Sequence, residues 1–75
     1  MKTTDLTEKV AGHVRAELAR QRISGSGLAK ALGWPTGGLN RRLTGKVPFT
    51  IDELQAIAKL LGVPLSQFWP DDLAS

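Results

Sequence analysis

Leu28-Ala29-Lys30-Ala31-Leu32-Gly33-Trp34-Pro35-Thr36-Gly37-Gly38-Leu39-Asn40-Arg41-Arg42-Leu43-Thr44-Gly45-Lys46 holds two short apolar periodicities parted by a glycine and a proline. Leu28, Ala29 and Leu32 recur at the spacing of one helical face, and Leu39 with Leu43, four apart, marks a second. Gly33 sits where a left-handed helix cap is needed, and Pro35 has the fixed φ that suits a helix start. The pattern predicts one helix from Ser24, a plausible N-cap, to about Leu32. A second begins at Pro35 or Thr36 and runs to Leu43 or Thr44, where Gly45 ends it. Gly25 and Gly27 cost about 0.8–1 kcal/mol each relative to alanine inside a helix, so packing must hold the first of the two. Asn40, Arg41, Arg42 and the two glycines of the second are left facing outward.

Working outward, Asp5 and Glu8 resemble a capping signal, and Leu6, Val10, Val14 and Leu18 form one stripe of a helix from about Asp5 to Arg22. Ile23 should seal its end against the core. Downstream, Thr50-Ile51-Asp52-Glu53 reads as a capping box, flanked by Phe49 and Leu54 as a hydrophobic staple. Ile51, Leu54, Ile57, Ala58 and Leu61 are the expected buried stripe, with Gly62 as the cap. Pro64 opens a last short helix that brings Leu65, Phe68 and Trp69 to the core, Pro70 stops it, and 71–75 is expected to fray. No segment alternates as a strand would.

A chain of 75 residues is enough for one domain, 1–75, and a domain this small buries only about 60% of its unfolded surface. Hydrophobic content of 41% is ordinary for a globular chain. Without cysteine there is no disulfide and no thiolate metal site, which fits a reducing cytoplasm. The apolar runs are too short to span a bilayer, and no apolar signal segment follows the N-terminus. A membrane partner is therefore not expected. The net charge is +3, but its distribution is uneven: +2 over 1–23, +4 over 24–50 with no acid at all, and −3 over 51–75. A charged run is often only a solvated face.

Two short helices joined by a tight glycine-containing turn, with cations on the second, describe a helix-turn-helix unit. An α-helix fits the major groove of duplex DNA, and the second helix of such a pair presents its N-terminal half to base edges. Ser24 to Trp69 resembles the helix-turn-helix domain of the phage repressor and Cro family, the XRE-type regulators. The resemblance is carried by Leu28 to Gly33, Leu39 to Lys46, Thr50 to Leu54 and Ile57 to Leu65. It implies an all-α fold, a compact five-helix lambda-repressor-like domain.

The same resemblance implies a DNA-binding set of Ser24, Gly25, Lys30, Thr36, Gly37, Gly38, Asn40, Arg41, Arg42 and Lys46. Thr36, Gly37 and Gly38 occupy the positions where family members read bases, and Asn40 and Arg41 match positions that face the groove. Arg42 stands where many members are apolar; it is expected at the groove edge, reaching a phosphate. Lys46 matches a backbone-contacting lysine. Gly25 replaces a frequent glutamine, so direct readout rests on Thr36, Asn40 and Arg41, with shape readout for the remainder.

Other chemistries find little support. His13 has no second histidine or cysteine to share a metal, so neither metal nor cofactor is expected. No nucleophile is spaced with a base, Asp52 and Glu53 are explained by capping, and an enzyme with a small-molecule substrate is not expected. Trp34 is read as packing against neighbouring helices. Phe68, Trp69 and Leu73 are candidates for a small homodimer interface, with a monomer as the alternative. The expected function is a sequence-specific regulator, a repressor of the phage or Cro kind, acting on DNA in the cytoplasm of a bacterium or phage-infected host. The alternative is a protein-holding module such as an antitoxin or adaptor, which the sparse reading face keeps open.

Overall fold

A computed structural model describes residues 3–69. The first helix, α1 (Thr3–Gln21), turns Val10, Val14 and Leu18 into the core, with Leu6 packed at its edge. It ends on Arg22, whose φ of 59° is left-handed, and the Ile23 amide reaches back to the Leu18 carbonyl at 2.9 Å. That closure presses Ile23 onto the core, as its position after the stripe predicts.

Next come α2 (Gly25–Leu32) and α3 (Thr36–Leu43). Ser24 caps α2, its side chain accepting from the Gly27 amide at 3.0 Å. Gly33 closes the helix at φ 74°, a conformation that suits glycine. The Trp34 amide then bonds the Ala29 carbonyl at 2.9 Å, so the turn into α3 is tight. Pro35 precedes α3 as its cap residue and supplies no side-chain hydrogen bond. Leu39 and Leu43 are buried, and a Cβ on Gly25 would come within 3.3 Å of Leu43 Cδ1. The glycine thus lets α2 lie close on α3.

The fourth helix, α4 (Ile51–Leu61), carries the expected capping box in full. Glu53 N–H donates to Thr50 Oγ1 at 3.1 Å, and Thr50 N–H donates to Glu53 Oε1 at 2.8 Å. Leu54, Ile57, Ala58 and Leu61 are buried, and Gly62 caps at φ 71°. Ile51 departs from its expected burial: it is 54% exposed. As the first residue of α4 it lies at the edge of the apolar arc, and Phe49 covers the core beside it.

The expected fifth helix is a single 3-10 turn over Leu65–Phe68, so the described residues form four α-helices and one such turn. Its bonds run three residues back, Gln67 N–H to the Pro64 carbonyl at 3.0 Å and Trp69 N–H to Ser66 at 3.2 Å. Phe68 is wholly buried, and the turn packs on both α1 and α4. Pro70, the frayed tail at 71–75 and Leu73 lie outside the described residues. No described helix is long and apolar enough to cross a membrane.

Among the described residues, one buried charge lies apart from this apolar core. Glu17 is 4% exposed, and Arg20, Gln21 and Gln67 all donate to its carboxylate. Hydrogen bonds from Arg20 and Gln21 hold its pKa below the ordinary 4.5, outweighing the opposing effect of burial. Gln21 also donates to the Leu61 carbonyl at 2.9 Å, tying α1 to the end of α4.

Candidate nucleic-acid interface

Leu39 and Leu43 define the dry side of α3, and at 100° per residue the opposite side falls on Gly37 and Arg41. Both are exposed. On one flank, Thr36 and Asn40 share a shallow depression with Ser24, Gly25 and Ser26 from the start of α2, floored by Leu43. The structure therefore brings Ser24, Gly25, Thr36 and Asn40 to one place and sets Gly37 and Arg41 on the ridge beside it. Ser24, Gly25 and Ser26 set only small side chains at the start of α2, the end of a helix that favours an anion.

Lys46 is exposed just past α3, where its amide bonds the Arg41 carbonyl at 3.0 Å. Lys30 is exposed in the last turn of α2, one turn beyond Ser26, and it does not line the depression. Among the described residues no carboxylate pairs with Lys30, Arg41 or Lys46. Their charge is available to a partner.

Arg42 is different: in the free protein its side chain does not project with those of Asn40 and Arg41. The side chain lies on the other flank of α3, 26% exposed, in a second depression with Trp34, Pro35, Gly38 and Glu53. Its Nε donates to both Glu53 oxygens, at 3.1 and 3.2 Å, and its Nη1 donates to the Gly38 carbonyl at 2.9 Å. The guanidinium also stands 6.0 Å from the centre of the Trp34 ring. Residues 38 and 42 are one turn apart on α3, and the fold brings Glu53, held by the capping box, to face that flank. Gly38 belongs with this group, having Arg42 Nη1 within 3.6 Å of where its Cβ would be. Burial works to raise the Glu53 pKa, but the Thr50 amide and Arg42 outweigh it and leave it below 4.5.

Ser26 was not among the expected contacts, although it follows Gly25 and falls outside the apolar spacing of α2; that absence from the stripe was the available signal. Arg15 was missed as well. It donates to the Leu43 carbonyl, a cation at the C-terminal end of α3, where the helix dipole favours it. No described group of three or more His, Cys, Asp or Glu side chains is arranged to hold a metal ion.

This arrangement is that of the helix-turn-helix class, and comparison with known proteins gives the same answer. The helix-turn-helix family profile matches residues 14–68. The chain belongs to that family, in its XRE type, a family of DNA-binding regulators that are typically not enzymes. No curated protein matches the sequence. Among solved structures, the chain is similar to the S. venezulae BldD DNA-binding domain, with a TM-score of 0.77 and 20% identity, over 88% of this chain and 99% of that one. At that identity the likeness is one of fold.

Proposed function

We propose that this protein is a sequence-specific double-stranded DNA-binding regulator, a repressor of the phage or Cro kind, that lays α3 in the major groove. One observation carries the reading: Thr36, Asn40 and Arg41 are exposed together on α3, beside the open start of α2 and with no acid between residues 24 and 50. Asn and Arg side chains match the edges of adenine and guanine. Ser24, Gly25 and Ser26 face a phosphate at the start of α2, while Lys30 and Lys46 supply charge to the flanking backbone. Gly37 presents bare backbone, and Gly38 lies on the flank beside Arg42. The site of action is DNA inside a bacterial cell or phage-infected host.

Neutralising about four phosphates per domain gives a slope of log K against log salt near −3.6. Two domains on one operator would double it, with half-sites about 34–36 Å apart. Duplexes selected from a random pool supply the operator, and gel retardation then compares the parent with Arg41→Ala and Asn40→Ala. Each variant is expected to bind more weakly by about five- to 150-fold, the worth of one good base contact. Equal retardation by the parent and both variants removes α3 from the groove. A parent that retards no duplex at low salt leaves the protein-holding reading in its place. A promoter fusion read with and without the protein tests the repressor assignment.

A further inference from the structure

The N-terminal ends of the helices are secured unequally. Ser24 caps α2 and the Thr50–Glu53 box caps α4, but Pro35 gives α3 no side-chain cap. The first turn of α3 also contains Gly37 and Gly38, each about 0.8–1 kcal/mol poorer than alanine as a helix former. It is the least self-sufficient turn of the three and the one that faces the bases in the proposed complex.

Arg42 does not cap that turn, since a guanidinium only donates, but it ties the turn to its surroundings. Through one planar guanidinium it donates to the Gly38 carbonyl in the first turn of α3 and to Glu53 in the first turn of α4, and it stands over Trp34 in the turn between α2 and α3. The ends of α3 and α4 are thus held by one side chain, and Glu53 is itself held by the Thr50 amide. A lysine would not do the same, because its single ammonium lacks the fork that reaches two acceptors in fixed directions.

We propose that Arg42 is a positioning residue for DNA recognition, a brace that ties the uncapped first turn of α3 to α4 and sets the orientation of Thr36, Asn40 and Arg41, and that it does not neutralise a phosphate. This rests on the DNA-binding reading, but its first signature is in the free protein. The Leu39 amide closes the first turn onto the Pro35 carbonyl at 3.2 Å. Its hydrogen exchange should quicken in Arg42→Met by more than that of the Leu54 amide, which closes α4 on Thr50 at 3.0 Å.

The second signature is in the salt dependence of binding to the selected operator. Arg42→Met is expected to weaken binding about tenfold at every salt concentration, along a line parallel to the parent, whereas loss of one phosphate contact would flatten the slope by about 0.9. Arg42→Lys keeps the charge but lacks the fork, and is expected to resemble Arg42→Met rather than the parent. Glu53→Gln keeps an oxygen for the Thr50 amide, so the box survives. Removing an acid near DNA should tighten binding on charge alone; the brace predicts weaker binding instead. Should Arg42→Met fail to fold, Glu53→Gln and Arg42→Lys still decide the matter. A flattened slope in Arg42→Met, rescue by Arg42→Lys, tighter binding by Glu53→Gln or unchanged exchange at Leu39 each overturns the brace. A parent that binds no duplex instead overturns the DNA-binding reading, and the exchange measurement still judges the brace within the fold.

Discussion

A Cβ built on Gly37 meets nothing within 4 Å, and the residue is exposed at the outer ridge of α3. The fold has no steric use for a glycine there. Gly37→Ala is therefore expected to raise the stability of the free protein by about 0.4–1 kcal/mol, read as a higher thermal midpoint. If the bare backbone approaches a base pair, as proposed, the same variant binds its operator more weakly while folding better. Opposite signs in the two measurements mark a contact with DNA; affinity unchanged in the stabilised variant rules out close approach at this point. Gly25 is the contrasting case, because a Cβ there would stand 3.3 Å from Leu43 Cδ1, closer than ordinary contact.

Glu17 makes a second prediction at this scale. Its pKa in the folded protein is depressed by Arg20 and Gln21, so the unfolded chain takes up the proton first as acid is added. Its stabilising contribution is complete above the ordinary value of 4.5 and is lost as the pH falls through the lower folded value. Glu53 is depressed in the same direction. Urea midpoints followed from pH 7 downward should fall across that window, and Glu17→Gln should make the fall shallower without abolishing it. A variant with the parent's full acid sensitivity would place the effect elsewhere. The burial of Glu17 was half legible: it lies three residues from Val14, on the flank of the stripe, but its polar partners include Gln67 from the far end of the chain.

Among the elements, α4 is the best determined by its own residues. Thr50, Glu53 and Gly62 state its beginning and end, and all three behave as their types require. Thr50→Ala is expected to cost about 1 kcal/mol, measured by denaturant unfolding, and also to loosen Glu53 from its place beside Arg42. The exposure of Ile51 was less legible. Periodicity assigns a direction to a side chain but does not say how far a neighbouring element extends over it, and the first turn of α4 reaches past the cover. The 3-10 turn shows the same limit. Pro64 announces a helix start, yet only four residues are wound before the chain extends at Trp69, too few for α-helical bonding to propagate.

For the molecule as a whole, Phe68 joins the last turn to both α1 and α4 and is 0% exposed. Phe68→Ala should cost about 3–5 kcal/mol from lost transfer energy and cavity formation. Domains of this size have total stability of about 5–15 kcal/mol, so the variant should lose much of its cooperative unfolding transition at 37 °C. Near-parental calorimetric behaviour would show that the last turn is dispensable. The helix-turn-helix family match ends at this same residue.

Local chemistry, written in residues close together in the chain, was enough to determine the four described α-helices, the caps at Ser24, Gly33, Thr50 and Gly62, the buried leucines of α2 and α3 and the exposure of Asn40 and Arg41. Spacing and capping act over three or four residues, so they can be read without knowing what lies across the core. Arg42 is the opposite case. Its partner Glu53 is eleven positions away, and nothing local distinguishes a guanidinium that will meet a carboxylate from one left to water. That choice was made only when α3 and α4 came together, because an ion pair depends on where two side chains end and not on what either of them is.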